Sequence, residues 1–223
     1  MNIIVEWMTE LLKWLYNLTS IVGLANYGVA IILLTIIIKT LIFPLTWKQM
    51  VSMRKTVDLQ PKIKEIQKKF KDKPQEANAK IMELYKENKV NPAGGCLPLV
   101  VQLPIFWALY STLLHFPYGS AASANFLGYN LTQVYGFTSP YHLTLPLLAA
   151  ATTFFQTKVT SPNASQDPTQ KMMLYIMPVF LGYISATVPS GLGLYWVTMN
   201  IVSILQQLII NKKLNKDKEA NPA

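Results

Sequence analysis

Three observations predict an all-α polytopic membrane protein, with five transmembrane helices, an N-terminal interfacial helix and a cytoplasmic helical hairpin. Five stretches, Gly28–Trp47, Leu97–Phe116, Tyr141–Val159, Met172–Val188 and Leu192–Ile210, are long and apolar enough to span a hydrocarbon core about 30 Å thick. The 223 residues are 51% hydrophobic and only 14% charged, with a mean hydropathy of +0.26, a profile of membrane rather than soluble proteins. The basic residues also segregate: of 20 lysines and arginines, all but Lys13 and Lys39 fall on one side of those five stretches. By the positive-inside rule that side is cytoplasmic, which puts the amino terminus outside and the carboxyl terminus in the cytoplasm.

Residues 1–22 are expected to form an external amphipathic helix. Ile3, Ile4, Trp7, Leu11, Trp14, Leu15 and Leu18 recur at helical spacing opposite Glu6, Glu10, Lys13 and Asn17, as in a helix lying on a membrane surface. An uncleaved signal-anchor fused to the first span is the alternative, although a positive n-region is missing and charges interrupt any h-region.

Residues 23–47 hold the first span and one unexpected charge. Lys39 lies nine residues before Lys48, or about 13 Å along a helix axis, near the midplane of a bilayer. A central lysine costs about 2.5–3.5 kcal/mol to insert, and its stem cannot snorkel the whole way. Thr35 shares its helix face, and Pro44 leaves the carbonyl of Thr40 without its usual helical donor, so polar groups gather at one depth.

Residues 48–96 form the cytoplasmic hairpin. Asp58 and Pro61 suit a helix start, with Leu59, Ile63, Ile66 and Phe70 spaced 4-3-4. Pro74 then opens a second helix carrying Ala77, Ile81 and Leu84, which Asn91-Pro92 closes. Interspersed acids such as Glu65, Glu76, Glu83 and Glu87 complete a charged exterior around a thin apolar seam. A solvated linker is the alternative.

Residues 97–210 carry spans two to five. The fourth and fifth are separated only by VPSG at 188–191, too short for anything but a tight reversal. In the third span Thr152, Thr153 and Gln156 cluster, and in the fifth Tyr195, Trp196, Met199, Asn200 and Ser203 recur at helical spacing. Polar groups inside spans face protein or water. For Thr152, Thr153 and Asn200 the preferred reading is interhelical hydrogen bonding rather than a site. Residues 211–223 are a basic cytoplasmic tail.

Enzymatic and metal chemistry find no footing. Cys96 is the single cysteine, His115 and His142 lack carboxylate or thiol partners at ligand spacing, and no phosphate-binding glycine loop or serine–histidine–carboxylate set is present. Neither a cofactor nor a metal is expected.

The segment LYKENKVNPAGGCLPLVVQLPIFWALY, residues 84–110, closely resembles the YidC/Oxa/Alb family of membrane protein insertases, in its short bacterial form. IIIKTLIFPLT at 36–46, LQPKIKEIQKKF at 59–70, ATTFFQTKVTSP at 151–162, YIMPVF at 175–180 and VPSGLGLYWVTMNIVSILQQLII at 188–210 are similar to the same family, in its order. The resemblance implies five helices around a hydrophilic groove, open to the cytoplasm and laterally to lipid, in the bacterial plasma membrane. It implies that Lys39 occupies the position of the groove's basic residue, usually arginine, and that Gln156 and Trp196 join it while Thr35 and Tyr195 contact substrate.

The implied function is insertion: short polar tails and apolar helices of nascent proteins move from the hydrated groove into the bilayer. Implied partners are nascent membrane proteins, the lipid bilayer, the ribosome through the basic loop and tail, and the Sec translocon, with no role for DNA. The alternatives are a small transporter or channel, against which the absence of internal repeats counts, and a scaffold that binds a ribosome or translocase, for which Lys39 would be dispensable.

Overall fold

The computed structural model describes residues 2–90, 97–116, 121–161 and 168–220, with side chains left out at 2, 97–101, 121–122, 168–170 and 217–220. The helix stop at Asn91-Pro92, the glycine pair Gly94-Gly95 and Cys96 lie outside the described residues. Helices dominate: α1 (Asn2–Ile21), α2 (Tyr27–Leu41), α3 (Phe43–Asp58), α4 (Gln60–Lys69), α5 (Pro74–Glu87), α6 (Leu97–His115), α7 (Ala121–Ala124), α8 (Thr144–Thr160), α9 (Pro168–Thr187) and α10 (Ser190–Ala220). Between α7 and α8 a two-residue antiparallel ribbon pairs β1 (Asn125–Phe126) with β2 (Tyr129–Asn130), in the register Asn125↔Asn130 and Phe126↔Tyr129.

α2 starts where Asn26 accepts a hydrogen bond from the backbone N–H of Gly28 at 2.8 Å, satisfying one orphan donor of the first turn. The same side chain donates to the carbonyl of Asn125 at 2.6 Å and ties the ribbon to the helix. The expected unbroken first span does not extend through Trp47. α2 ends at Leu41, α3 begins at Phe43, and the two axes are bent by 66°. Pro44 is the cause: it sits in the first turn of α3, where its missing N–H is harmless, and it cannot continue the ladder of α2. Residues 48–58, assigned in sequence to the hairpin, therefore belong to a helix rooted in the bundle.

The remaining segment holds two short helices, α4 and α5, that pack on each other. α5 opens at Pro74, and Leu59, Ile63 and Val90 are buried against Ile81, Leu84 and Tyr85 in a small apolar cluster of their own. The main core is separate and collects Leu12, Ala30, Ile31, Leu34, Leu109, Leu113, Leu131 and Leu192. α1 joins it through Met8, Leu12 and Leu15, of which the sequence reading placed only Leu15 on the apolar face, with Tyr16 stacked on Tyr27 at 4.2 Å. Trp7, Trp14 and Leu18 of α1 remain exposed.

α8 packs on α9 and α10, and α10 on α2. The α8–α9 approach is close because Gly182 lies where an added Cβ would meet Ala150 Cβ at 3.0 Å and the Pro146 carbonyl at 3.1 Å. The reversal before the last helix is tighter than expected, since α10 already starts at Ser190. Its first amides are satisfied from outside: Ser190 N–H donates to Gln133 O and Gly191 N–H to Leu131 O, each at 2.9 Å. Gly191 is small because the Leu131 carbonyl would stand 3.0 Å from a Cβ there. At its far end α10 runs past Ile210 to Ala220, so the basic tail continues the helix through residues that favour it.

Among the described residues, Ser190–Lys216 alone, and α2 with α3 taken as one bent span, are long and apolar enough to cross a membrane. Lys171–Thr187 is apolar but shorter. The outer surfaces of α8, α9 and α10 expose large apolar side chains, including Leu147, Phe155, Ile176, Val179, Phe180 and Leu205. Water-soluble monomers rarely leave such contiguous surface uncovered.

Candidate functional site

A cavity of about 440 Å³ opens among α2, α3, α6, α8, α9 and α10. Lys39, in the last turn of α2, lines it and is only 7% exposed. The carbonyls at that helix end favour a cation. Gln206 of α10 donates to the Lys39 carbonyl at 3.2 Å, fixing the backbone beside the charge. Among the described residues no carboxylate is ion-paired with the Lys39 ammonium; the ion pairs there lie on α1 and in the α3–α5 arm, as in Lys13–Glu10 and Lys80–Glu83.

Gln156, Tyr195 and Trp196 line the same cavity. Tyr195 is buried, and its hydroxyl accepts a hydrogen bond from Gln102 Nε2 of α6 at 2.5 Å. Trp196 stands edge-on to Phe106, with ring centroids 5.6 Å apart, forming part of an apolar wall with Leu103 and Leu181. Thr35 is not brought to the cavity. It is 1% exposed, and its hydroxyl donates to the Ile31 carbonyl at 2.7 Å, because it faces the close packing of the helical core one turn away from Lys39.

Asn200 is an interhelical clamp. Its Nδ2 donates to Thr152 Oγ1 at 3.0 Å and to Thr153 Oγ1 at 2.9 Å, joining α10 to α8 at the cavity's edge. The threonine hydroxyls in turn donate to the carbonyls of Leu148 and Ala149.

Sequence reasoning missed one wall. Thr46, Gln49, Met50 and Met53 of α3 line the cavity, and their i, i+3, i+4, i+7 spacing marks one helix face. That spacing was the available signal, hidden by the assignment of residues after Lys48 to a solvated arm. Gln102, the one polar residue between Leu97 and Leu109, was a second.

A smaller, wholly apolar cavity of about 230 Å³ lies on another face of α2. It is lined by Ile4, Trp7 and Met8 of α1, Ile38, Leu41 and Ile42, and Pro104 and Ile105 of α6. Consecutive residues Ile38 and Lys39 thus face different environments.

The family described as 60Kd inner membrane protein matches residues 17–218. Curated relatives include the membrane protein insertase YidC of Helicobacter pylori strain J99, 42% identical over 211 residues, covering 95% of this chain and 36% of the relative. The YidC of Wolinella succinogenes is 43% identical over 213 residues, covering 96% of this chain and 38% of the relative. The crystal structure of an active YidC insertase with its first transmembrane domain resolved is similar at a TM-score of 0.71 and 32% identity, over 90% of this chain and 44% of that one. The chain spans little more than a third of the length of these curated relatives.

Proposed function

The chain belongs to the 60Kd inner membrane protein family, and from that membership we propose that it is a membrane protein insertase of a bacterial inner membrane. It moves short polar tails and apolar helices of nascent proteins from a hydrated groove sideways into lipid. The observation that carries this reading is Lys39, a buried cation at a cavity of about 440 Å³ with no acidic partner among the described residues. A charge so placed is costly unless water or a visiting anion offsets the lost hydration. The carboxylate of a passing tail supplies that offset for the time it takes to pass.

The rest of the lining supports a passage rather than a tight binding pocket. Trp196, Phe106, Leu103 and the α3 methionines offer apolar contact, while Gln156 and Gln102 keep polar groups nearby. Five spans with the amino terminus outside and the carboxyl terminus cytoplasmic belong to the same proposal, supported by the segregated lysines and the exposed apolar surfaces of α8–α10. Hydrophobic partitioning drives insertion, and for acidic tails the membrane potential adds about 2.3 kcal/mol per charge per 100 mV. No covalent step is required. The basic α4–α5 arm and the helical tail are the surfaces offered to a ribosome, and the Sec translocon is a further proposed partner.

The test is insertion of a single-span substrate into proteoliposomes. Lys39→Arg should retain activity and Lys39→Glu should abolish it for acidic tails. Lys39→Ala should impair acidic-tailed substrates more than neutral ones. Equal activity of all three would refute the role of the charge, and flux of small solutes without insertion would favour a channel.

A further inference from the structure

The wall that α3 presents to the cavity has one residue whose chemistry is unspent. Gln49 is only 4% exposed and lines the cavity, yet among the described residues neither its Oε1 nor its Nε2 has a hydrogen-bond partner. A buried amide left unpaired at both ends destabilises a protein relative to an apolar side chain of similar volume. Such groups persist where water or a ligand supplies the partners, and a ligand entering this cavity can take the place of that water.

A carboxamide offers one acceptor and two donors in a plane. That is the complement of a peptide group, so it pairs with the main chain of an extended segment whatever side chains the segment carries. On the same face, Met50 and Met53 are unbranched thioethers that repack around apolar groups of differing shape, and Met199 lines the cavity from α10. Thr46 completes the stripe, its hydroxyl turned back to the carbonyl of Ile42 at 2.8 Å.

We propose that the Thr46–Met53 face of α3 is a backbone-reading subsite. Gln49 bonds the main chain of an extended polypeptide entering the cavity, while Met50 and Met53 accommodate its side chains. This deepens the insertase reading and rests on it. The division of labour follows from chemistry: Lys39 discriminates by charge, whereas Gln49 is indifferent to it and engages every substrate. One competing role is visible, because Gln206 Oε1 on α10 is also without a partner among the described residues and α10 packs on α3. A hydrogen bond between the two side chains would make Gln49 a strut between the two helices.

Two measurements on the full chain decide. A photoreactive residue at position 49, with position 196 as reference, is presented with a ribosome-stalled chain carrying one apolar span and a neutral tail. Crosslinking from both positions is expected. Crosslinking from 196 alone overturns the α3 subsite and leaves the insertase reading standing, whereas crosslinking from neither overturns both. Separately, Gln49→Leu should melt in detergent at the same or a higher temperature while inserting neutral- and acidic-tailed substrates about three- to tenfold less well, as expected for loss of one or two net hydrogen bonds. A lower melting temperature would identify the strut, and undiminished insertion or a loss confined to acidic tails would likewise overturn the proposal.

Discussion

Replacing Asn200 with leucine separates a structural polar group from a functional one at the edge of the cavity. The side chain is 1% exposed and makes two hydrogen bonds across the α8–α10 interface, to Thr152 and Thr153. Leucine keeps the same branched skeleton with bulkier ends, and both threonine hydroxyls keep their intrahelical carbonyl acceptors, so nothing is left newly unsatisfied by the change. Hydrogen bonds between membrane helices average about 0.6 kcal/mol, which gives roughly 1.2 kcal/mol for the pair. At about 2–4 °C per kcal/mol for a chain of this size, Asn200→Leu should lower the melting temperature in detergent by roughly 2–5 °C. The assay is thermal unfolding followed by tryptophan fluorescence, run beside insertion into proteoliposomes below the transition. Insertion should be nearly unchanged. An unaltered melting temperature combined with lost insertion would refute the clamp and make Asn200 a substrate contact.

Gly28→Val should destabilise the fold by about 1–3 kcal/mol, since a Cβ there would overlap the Phe126 ring and force the β1–β2 ribbon off the start of α2; thermal unfolding measures it, and an unchanged transition would show that the ribbon moves freely. Deleting residues around Lys71–Pro74 should leave a detergent-stable bundle with impaired insertion, because Leu59, Ile63 and Val90 form a cluster separate from the main core. Loss of the folded state instead would make the arm structural. A reporter fused after Ile210 should be cytoplasmic and one within 117–140 external, and the reverse at either site would refute the five-span topology.

Helix type and order were legible because apolar runs of this length leave few alternatives, and the α4–α5 seam was legible in part: Leu59 and Ile63 of the 4-3-4 set are buried with Ile81 and Leu84 against them, whereas Ile66 and Phe70 stay outside that cluster and Val90 joins it. Lys39, Gln156, Tyr195 and Trp196 converge on one cavity, and each was conspicuous as a charge or polar group in an apolar run. The bend between α2 and α3 was only half legible. Pro44 announces a lost hydrogen bond, but the 66° turn depends on what packs against each half. That turn swings Gln49, Met50 and Met53 into the cavity, which composition alone reads as an amphipathic arm. Thr35 misled for a related reason: four residues from Lys39 places it on the same face, and the close approach of neighbouring helices then buries it. On α1 the expected stripe and the buried stripe, Met8, Leu12 and Leu15, share Leu15 and otherwise differ by a rotation that hydropathy does not resolve.

The decisive measurement is thiol accessibility at two adjacent positions. With Cys96 replaced by serine, cysteine is introduced at position 39, facing the larger cavity, or at position 38, facing the apolar pocket beneath α1. Both native side chains are similarly buried, Ile38 at 9% and Lys39 at 7% exposure, so burial alone gives no reason for different rates. A membrane-impermeant thiol reagent should modify position 39 from the cytoplasmic side only and position 38 far more slowly. Labelling of neither position would mean a dry, buried lysine, and labelling of position 39 from the outer side would mean a through-going channel; either contradicts a hydrated, cytoplasm-facing groove.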